Sequence, residues 1–177
     1  KNRIVQSLWI GKSVSMLEKL SFVSFIDNGH AYHLYTYDDV DGIPDGVVVR
    51  DANDILPESK IFTYKNGSYA GFANWFRYEL INKTGFYWVD SDVICLKPFD
   101  FENDIVMARQ NRKTINNAVL RLPKNHPALQ KMIFHCQNPH QFLPYDGLRA
   151  KVRKMMRKKD ADSAEVRLKW GELGPYG

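Results

Sequence analysis

The sequence predicts a single α/β domain over residues 1–177, with a mixed central sheet flanked by helices. Three observations predict it. Candidate strands and helices interleave along the chain instead of segregating by type, the pattern of a layered α/β domain. Phe86-Tyr87-Trp88-Val89 is a short apolar run without alternation, which suits a central strand covered on both faces. Hydrophobic residues make up 44% of 177 positions, enough apolar surface for one core and too much for a disordered chain.

The elements follow in order. Ile4 to Ile10 reads as an opening strand that ends at Gly11. Ser15 and Glu18 have capping-box spacing, in which each side chain satisfies an orphan backbone N–H at a helix start. That helix is expected to run to about Asp27 and stop at Asn28-Gly29. Ala31 to Tyr37 is aromatic and β-rich, hence a second strand. Asp38 to Asp45, with Gly42 and Pro44, is a loop. Val47 to Arg50 is a short strand. Tyr69 to Lys83 is a helix, because Phe72, Trp75, Phe76 and Leu80 line one face; Gly85 ends it. Ile105 to Ala108 and Ala118 to Leu122 are further strands, and Leu129, Met132, Ile133 and Cys136 mark a helix after Pro127.

Charge is unevenly distributed. The net charge is +5, but Arg149 to Lys159 holds seven basic residues and no acid. The remainder has 18 basic against 20 acidic residues, which argues against a nucleic-acid-binding fold with a whole positive face. Leu148, Val152, Met155 and Met156 sit at i, i+4, i+7 and i+8 within the basic segment. Two readings fit: a basic amphipathic helix for an anionic membrane surface, or a solvated helix that packs its Met side on the domain. No stretch approaches 18 consecutive apolar residues, so no spanning helix is predicted. No secretory signal is visible from Lys1 to Leu8, and the first residue is Lys, so an earlier segment is expected to lie outside the chain. The two cysteines, Cys95 and Cys136, fit buried reduced thiols in a cytosolic compartment. The five histidines show no metal-binding spacing.

The sharpest chemical feature is Asp90-Ser91-Asp92 at the end of the buried run. Carboxylates at i and i+2 on extended backbone share a face, and a strand end or tight turn can converge them on one cation. Hard oxygen ligands suit Mg²⁺ or Mn²⁺, ions that commonly serve phosphates. Open α/β sheets bind ligands beyond the carboxyl ends of their strands. An Asp-x-Asp alone also fits a plain turn.

Its context is more specific. Ala73-Asn74-Trp75-Phe76-Arg77-Tyr78-Glu79-Leu80, then Gly85, Trp88-Val89-Asp90-Ser91-Asp92-Val93 and Leu96-Lys97-Pro98-Phe99-Asp100 resemble the sugar-nucleotide core of the family-32 glycosyltransferases, especially bacterial capsule and polysaccharide types. Leu8-Trp9-Ile10-Gly11 looks like the family's first strand. Ile115-Asn116-Asn117-Ala118 with Asn125-His126-Pro127 looks like its central strand and helix, and Trp170-Gly171-Glu172-Leu173-Gly174-Pro175 like its late Gly-Pro motif. The resemblance covers nearly the whole chain in order.

It implies a GT-A-type nucleotide-sugar fold and metal-dependent, retaining transfer from a nucleoside diphosphate sugar to a saccharide or lipid-linked acceptor. It implies that Asp92 binds Mn²⁺ or Mg²⁺ directly, and that Asp90 binds it through water or holds the donor ribose. Arg77 would reach the donor sugar or its phosphates, Asn74 and Asn117 would contact the donor, and Trp9 would stack on the base. The plain alternatives are a surface arginine, a turn asparagine at Asn117 and a core tryptophan. The chain departs from the family at Asn74, where Asp is usual, at the single glycine of Gly85-Phe86, and in stopping at Gly177; two readings of that stop are open, a C-terminal truncation or a naturally short, inactive relative. Cysteine usage suits a cytoplasmic location, and the membrane-surface reading of the basic segment would add peripheral attachment at the inner face of the membrane. Two rivals are a non-catalytic sugar-nucleotide or membrane-surface binding module and a phosphohydrolase of the haloacid-dehalogenase kind.

Overall fold

A computed structural model describes residues 3–112, 114–144, 146–159, 168 and 173. The strands are β1 (Ile4–Leu8), β2 (Ala31–Thr36), β3 (Val47–Asp51), β4 (Tyr87–Val89), β5 (Val106–Arg109) and β6 (Ile115–Arg121). The helices are α1 (Met16–Asp27), α2 (Ala70–Thr84), α3 (Pro127–Gln137) and α4 (Leu148–Lys159). Single 3₁₀ turns at Ala52–Asp54 and Glu58–Lys60 lie between β3 and α2.

The sheet is mixed, with strand order β3-β2-β1-β4-β6-β5. β3, β2, β1 and β4 run parallel, while β6 is antiparallel to both β4 and β5. From β1 the chain moves outward to β2 and β3, then returns across the sheet to place β4 on the other side of β1. The strand order therefore reverses between β1 and β4, and a crevice forms beyond the carboxyl ends at such a point.

Alternation along the strands sorts the core into two layers. Val5, Tyr32, Leu34, Tyr87 and Val89 pack with Phe22 and Phe25 of α1. Leu8, Tyr35, Trp88 and Leu120 pack with α2 and α3 through Phe72, Phe76, Leu80, Leu129 and Ile133. β4, Tyr87–Val89, is thus covered on both faces, as its unbroken apolar run requires.

Local signals behave as chemistry dictates. The Ser15 hydroxyl accepts from Leu17 N–H at 3.2 Å, and Glu18 accepts from Ser15 N–H at 2.8 Å. Gly85 ends α2 at φ 71°, in the left-handed region, and donates its N–H to Ile81 O at 2.7 Å; a side chain there would be strained. Most edges fall within one residue of expectation, and two differ by more. β1 stops at Leu8: the Trp9 N–H still donates to Tyr35 O at 2.9 Å, the last bond of the ladder, and neither Ile10 nor Gly11 bonds β2. β6 begins at Ile115, because its pairing with β5 continues through Asn116 past a register shift at Met107/Ala108. Cys95 and Cys136 are buried free thiols; burial pushes both up, Cys136 to about 12. Among the described residues no helix is long and apolar enough to cross a membrane.

Candidate functional site

The site is assembled where β4 ends. Val93 N–H donates to Asp90 O at 3.1 Å, closing a tight turn that carries Asp90, Ser91 and Asp92. The turn is pinned to β6, because Asp90 N–H donates to Ala118 O at 2.8 Å. β6 runs antiparallel with Val119 opposite Val89, so its Ile115–Asn117 end projects past β4 alongside the turn.

The two carboxylates differ in setting. Asp90 Oδ1 accepts from Arg77 Nη2 at 2.7 Å and from Trp88 Nε1 at 2.7 Å. Trp88 and Asp90 are at i and i+2, so they share the sheet face that α2 covers. Arg77, buried within α2, completes the arrangement: Nη1 donates to Asn117 O at 2.7 Å and its guanidinium lies 4.7 Å from the Trp88 ring centre. Burial works against the Arg77 charge, and the Asp90 carboxylate works the other way. Asp92 is exposed and makes no hydrogen bond or ion pair to the described residues. The same turn thus holds one fixed carboxylate and one uncommitted one.

Asn117 and Asn74 extend this network. Asn117 Nδ2 donates to Asn74 Oδ1 at 3.1 Å and to Tyr78 OH at 3.3 Å. Asn74 Nδ2 donates to Leu173 O at 2.8 Å, which also accepts from Tyr64 OH at 2.8 Å. Amide chemistry explains the fit: Asn74 must accept from one partner and donate to another, which a carboxylate cannot do. Of the late motif only Leu173 is described; Trp170, Gly171, Glu172, Gly174 and Pro175 lie outside the described residues, as do the side chains of Arg157, Lys158 and Lys159.

Trp9 sits beyond the neighbouring strand end. It lines a cleft of about 290 Å³ with Ile10, Gly11, Tyr37, Asp38, Val40, Glu58, Ile61 and Tyr69. Its Nε1 is buried without a partner among the described residues. A Cβ at Gly11 would stand 3.2 Å from that nitrogen, so glycine lets the backbone pass close beside the ring. Continuing the β1–β4 register from Gln6 opposite Trp88 sets Leu8 opposite Asp90. The cleft and the carboxylate turn therefore leave the sheet at adjacent strand ends.

The structure brings Asn74, Arg77, Asp90 and Asn117 into one hydrogen-bonded network, with Asp92 on the same turn and Trp9 in the adjoining cleft. Both Arg77 Nη atoms are engaged by the protein and neither is presented to solvent-borne phosphate. Sequence reasoning passed over Trp88 and Tyr78 as site residues. The i, i+2 relation of Trp88 to Asp90 was the available signal; nothing local marked Tyr78. Among the described residues no group of three or more His, Cys, Asp or Glu side chains could hold a metal ion.

No family model matches the chain, and no curated protein matches it. A solved structure does: the "PaToxG Glycosyltransferase", with a TM-score of 0.59 and 16% identity, over 90% of this chain and 69% of that one. The chain shares its fold with a glycosyltransferase. The α/β, GT-A-like architecture expected from sequence is present, while the family-32 resemblance rests on the motifs alone.

Proposed function

We propose that the chain binds a nucleoside diphosphate sugar at the β1–β4 crevice and transfers the sugar to a saccharide or lipid-linked acceptor, retaining anomeric configuration. The observation that carries this reading is the pairing of a fixed Asp90 with an exposed, uncommitted Asp92 where the strand order reverses. Asp92 and the free oxygen of Asp90 are hard donors that suit Mn²⁺ or Mg²⁺, and two protein ligands leave most of a six-coordinate shell for phosphate and water. When bound, the ion would supply positive charge to the departing diphosphate.

The chain's own residues have separate roles in this reading. Asp92 holds the ion and Asp90 approaches it directly or through water. Arg77 is a positioning residue: it fixes the Asp90 carboxylate and, through Asn117, the end of β6. Asn117 and Asn74 keep the edge of the donor site rigid, with backbone and amide atoms toward sugar hydroxyls. Trp9 and Tyr69 offer ring faces to a base in the cleft, where the unpartnered Trp9 Nε1 can donate to it.

A thermal-shift panel of UDP- and GDP-sugars with and without Mn²⁺ tests the proposal. Ligand at a hundred times its dissociation constant adds about 2.7 kcal/mol, a rise of roughly 5–10 °C for a chain of this size. The rise should require nucleotide and metal together. No rise with any nucleotide sugar in the presence of metal refutes the donor site; a rise without release of nucleoside diphosphate on adding acceptors leaves a binding module.

A further inference from the structure

α4 is amphipathic, and it faces the opposite way from a packed surface helix. At 3.6 residues per turn, Leu148, Val152, Met155 and Met156 fall within an arc of about 100°. Their exposures are 80%, 43%, 49% and 60%. The inward side is formed instead by the half-buried Ala150, Arg153 and Lys154. Lys154 contributes to the attachment: its Nζ lies 2.7 Å from Asp146 Oδ2 and donates to Gln141 O at 3.0 Å, with its side chain only 14% exposed. Asp146 is in turn fixed by Leu143 N–H at 2.7 Å. The helix therefore docks through a lysine and turns its apolar stripe to solvent. The alternative in which the Met side packs on the domain is not what folds.

We infer that this stripe is a docking face for an anionic lipid surface. Arg149 and Lys151, both exposed, flank the apolar arc at its two borders. There the aliphatic stems can lie along the acyl boundary while the charges reach phosphate. No acidic residue occurs from Arg149 to Lys159, so nothing within the helix repels a negative surface. A second copy of the chain is the poorer occupant, because pairing two such stripes sets their basic borders against each other. Lys154, one of the seven basic residues of the segment, is committed to Asp146 and contributes to holding the helix instead of to lipid. This inference does not depend on the glycosyl-transfer reading.

The test uses the full chain with Met156→Cys carrying an environment-sensitive dye; the position is exposed, whereas Cys95 and Cys136 are buried and label slowly. Vesicles of phosphatidylcholine alone are compared with vesicles containing phosphatidylglycerol, at low and high salt. A blue shift with anionic vesicles only, weakened by salt, is expected. Each basic residue near such a surface contributes about a five-fold gain in partitioning, so Arg149→Gln with Lys151→Gln should weaken binding roughly 25-fold. Leu148→Ser with Met155→Ser should abolish it, and both pairs are exposed, so the melting temperature reports that folding is intact. Equal binding to neutral vesicles, no binding, or no effect of either pair overturns the inference. So does emission already blue-shifted without lipid: concentration-dependent, it assigns the stripe to a second copy; concentration-independent, to the chain's own residues beyond Lys159.

Discussion

Asp90 and Asp92 are two residues apart and carry the same chemistry, yet removing them should have very unequal consequences for the fold. Asp90→Ala deletes the acceptor for Arg77 Nη2 and Trp88 Nε1, both at 2.7 Å. Arg77 is 5% exposed, so its charge is left inside with Asn117 O and the Trp88 ring as its remaining partners. Breaking a buried ion pair by removing one member costs about 3–5 kcal/mol. Asp90 is 33% exposed on its side chain, and water entering the vacated position recovers part of that, which sets the expectation near 3 kcal/mol. For a domain of this size that lowers the melting temperature by about 6–12 °C. Asp90→Asn keeps an acceptor oxygen and loses only the charge, so its cost should be about 1–2 kcal/mol. Asp92→Ala removes an exposed carboxylate that makes no hydrogen bond or ion pair to the described residues, and should change stability by less than about 0.5 kcal/mol.

The assay is equilibrium urea unfolding of ligand-free protein in chelator, with the slope held common across variants. Arg77→Met supplies the other half of a double-mutant cycle. In that background Asp90→Ala should cost about 2 kcal/mol less than in the parent, because no buried charge remains to be stranded. Metal-dependent donor binding should vanish in Asp92→Ala at unchanged stability. Equal costs for Asp90→Ala and Asp92→Ala, or additivity with Arg77→Met, would refute the division between a fixed and a free carboxylate.

Two further perturbations test the surrounding structure. Gly71→Ala would put a methyl group 2.6 Å from Tyr64 Cζ and 2.9 Å from a Phe62 ring carbon; it should cost about 1–3 kcal/mol. It should also speed hydrogen exchange at the Leu173 amide, which donates to Tyr64 OH at 3.1 Å, and unchanged protection would count against that anchor. His30 accepts from Phe99 N–H through Nε2 at 3.0 Å and bonds Arg3 O through Nδ1 at 3.1 Å, so the neutral ring fits and the charged ring does not. Burial holds its pKa below the ordinary value, as it does for His33 and His135. The unfolded chain then binds the extra protons, so stability present above about pH 6.5 is lost as pH falls below it, with at most about 1.4 kcal/mol per pH unit from each histidine. Urea midpoints from pH 7.5 to 5.5 should fall, less steeply in His30→Asn; a flat profile in the parent contradicts the burial argument.

What could be read from the sequence divides along a physical line. Signals whose partners lie within a few residues were legible: the Ser15–Glu18 cap, Gly85 as the end of α2, the apolar run of β4 and the Asp-Ser-Asp turn are each set by local geometry. Residue types suited to a site were also legible, because carboxylates beyond a buried strand carry their chemistry with them. Sidedness was not. Arg77 is compatible with reaching outward or inward, and only packing of α2 against β4 and β6 decides that its fork is spent on Asp90 and Asn117. Asn74 is a departure from the family pattern in sequence and a two-way hydrogen-bond relay in the fold, since its amide must serve Asn117 and Leu173 together. α4 makes the same point most sharply. Its periodicity shows that it has an apolar face and a basic face, but periodicity is symmetric with respect to which face meets the domain. The ion pair of Lys154 with Asp146, eight residues apart, helps to break that symmetry and decides between the two readings: the helix exposes four large apolar side chains instead of packing them on the domain.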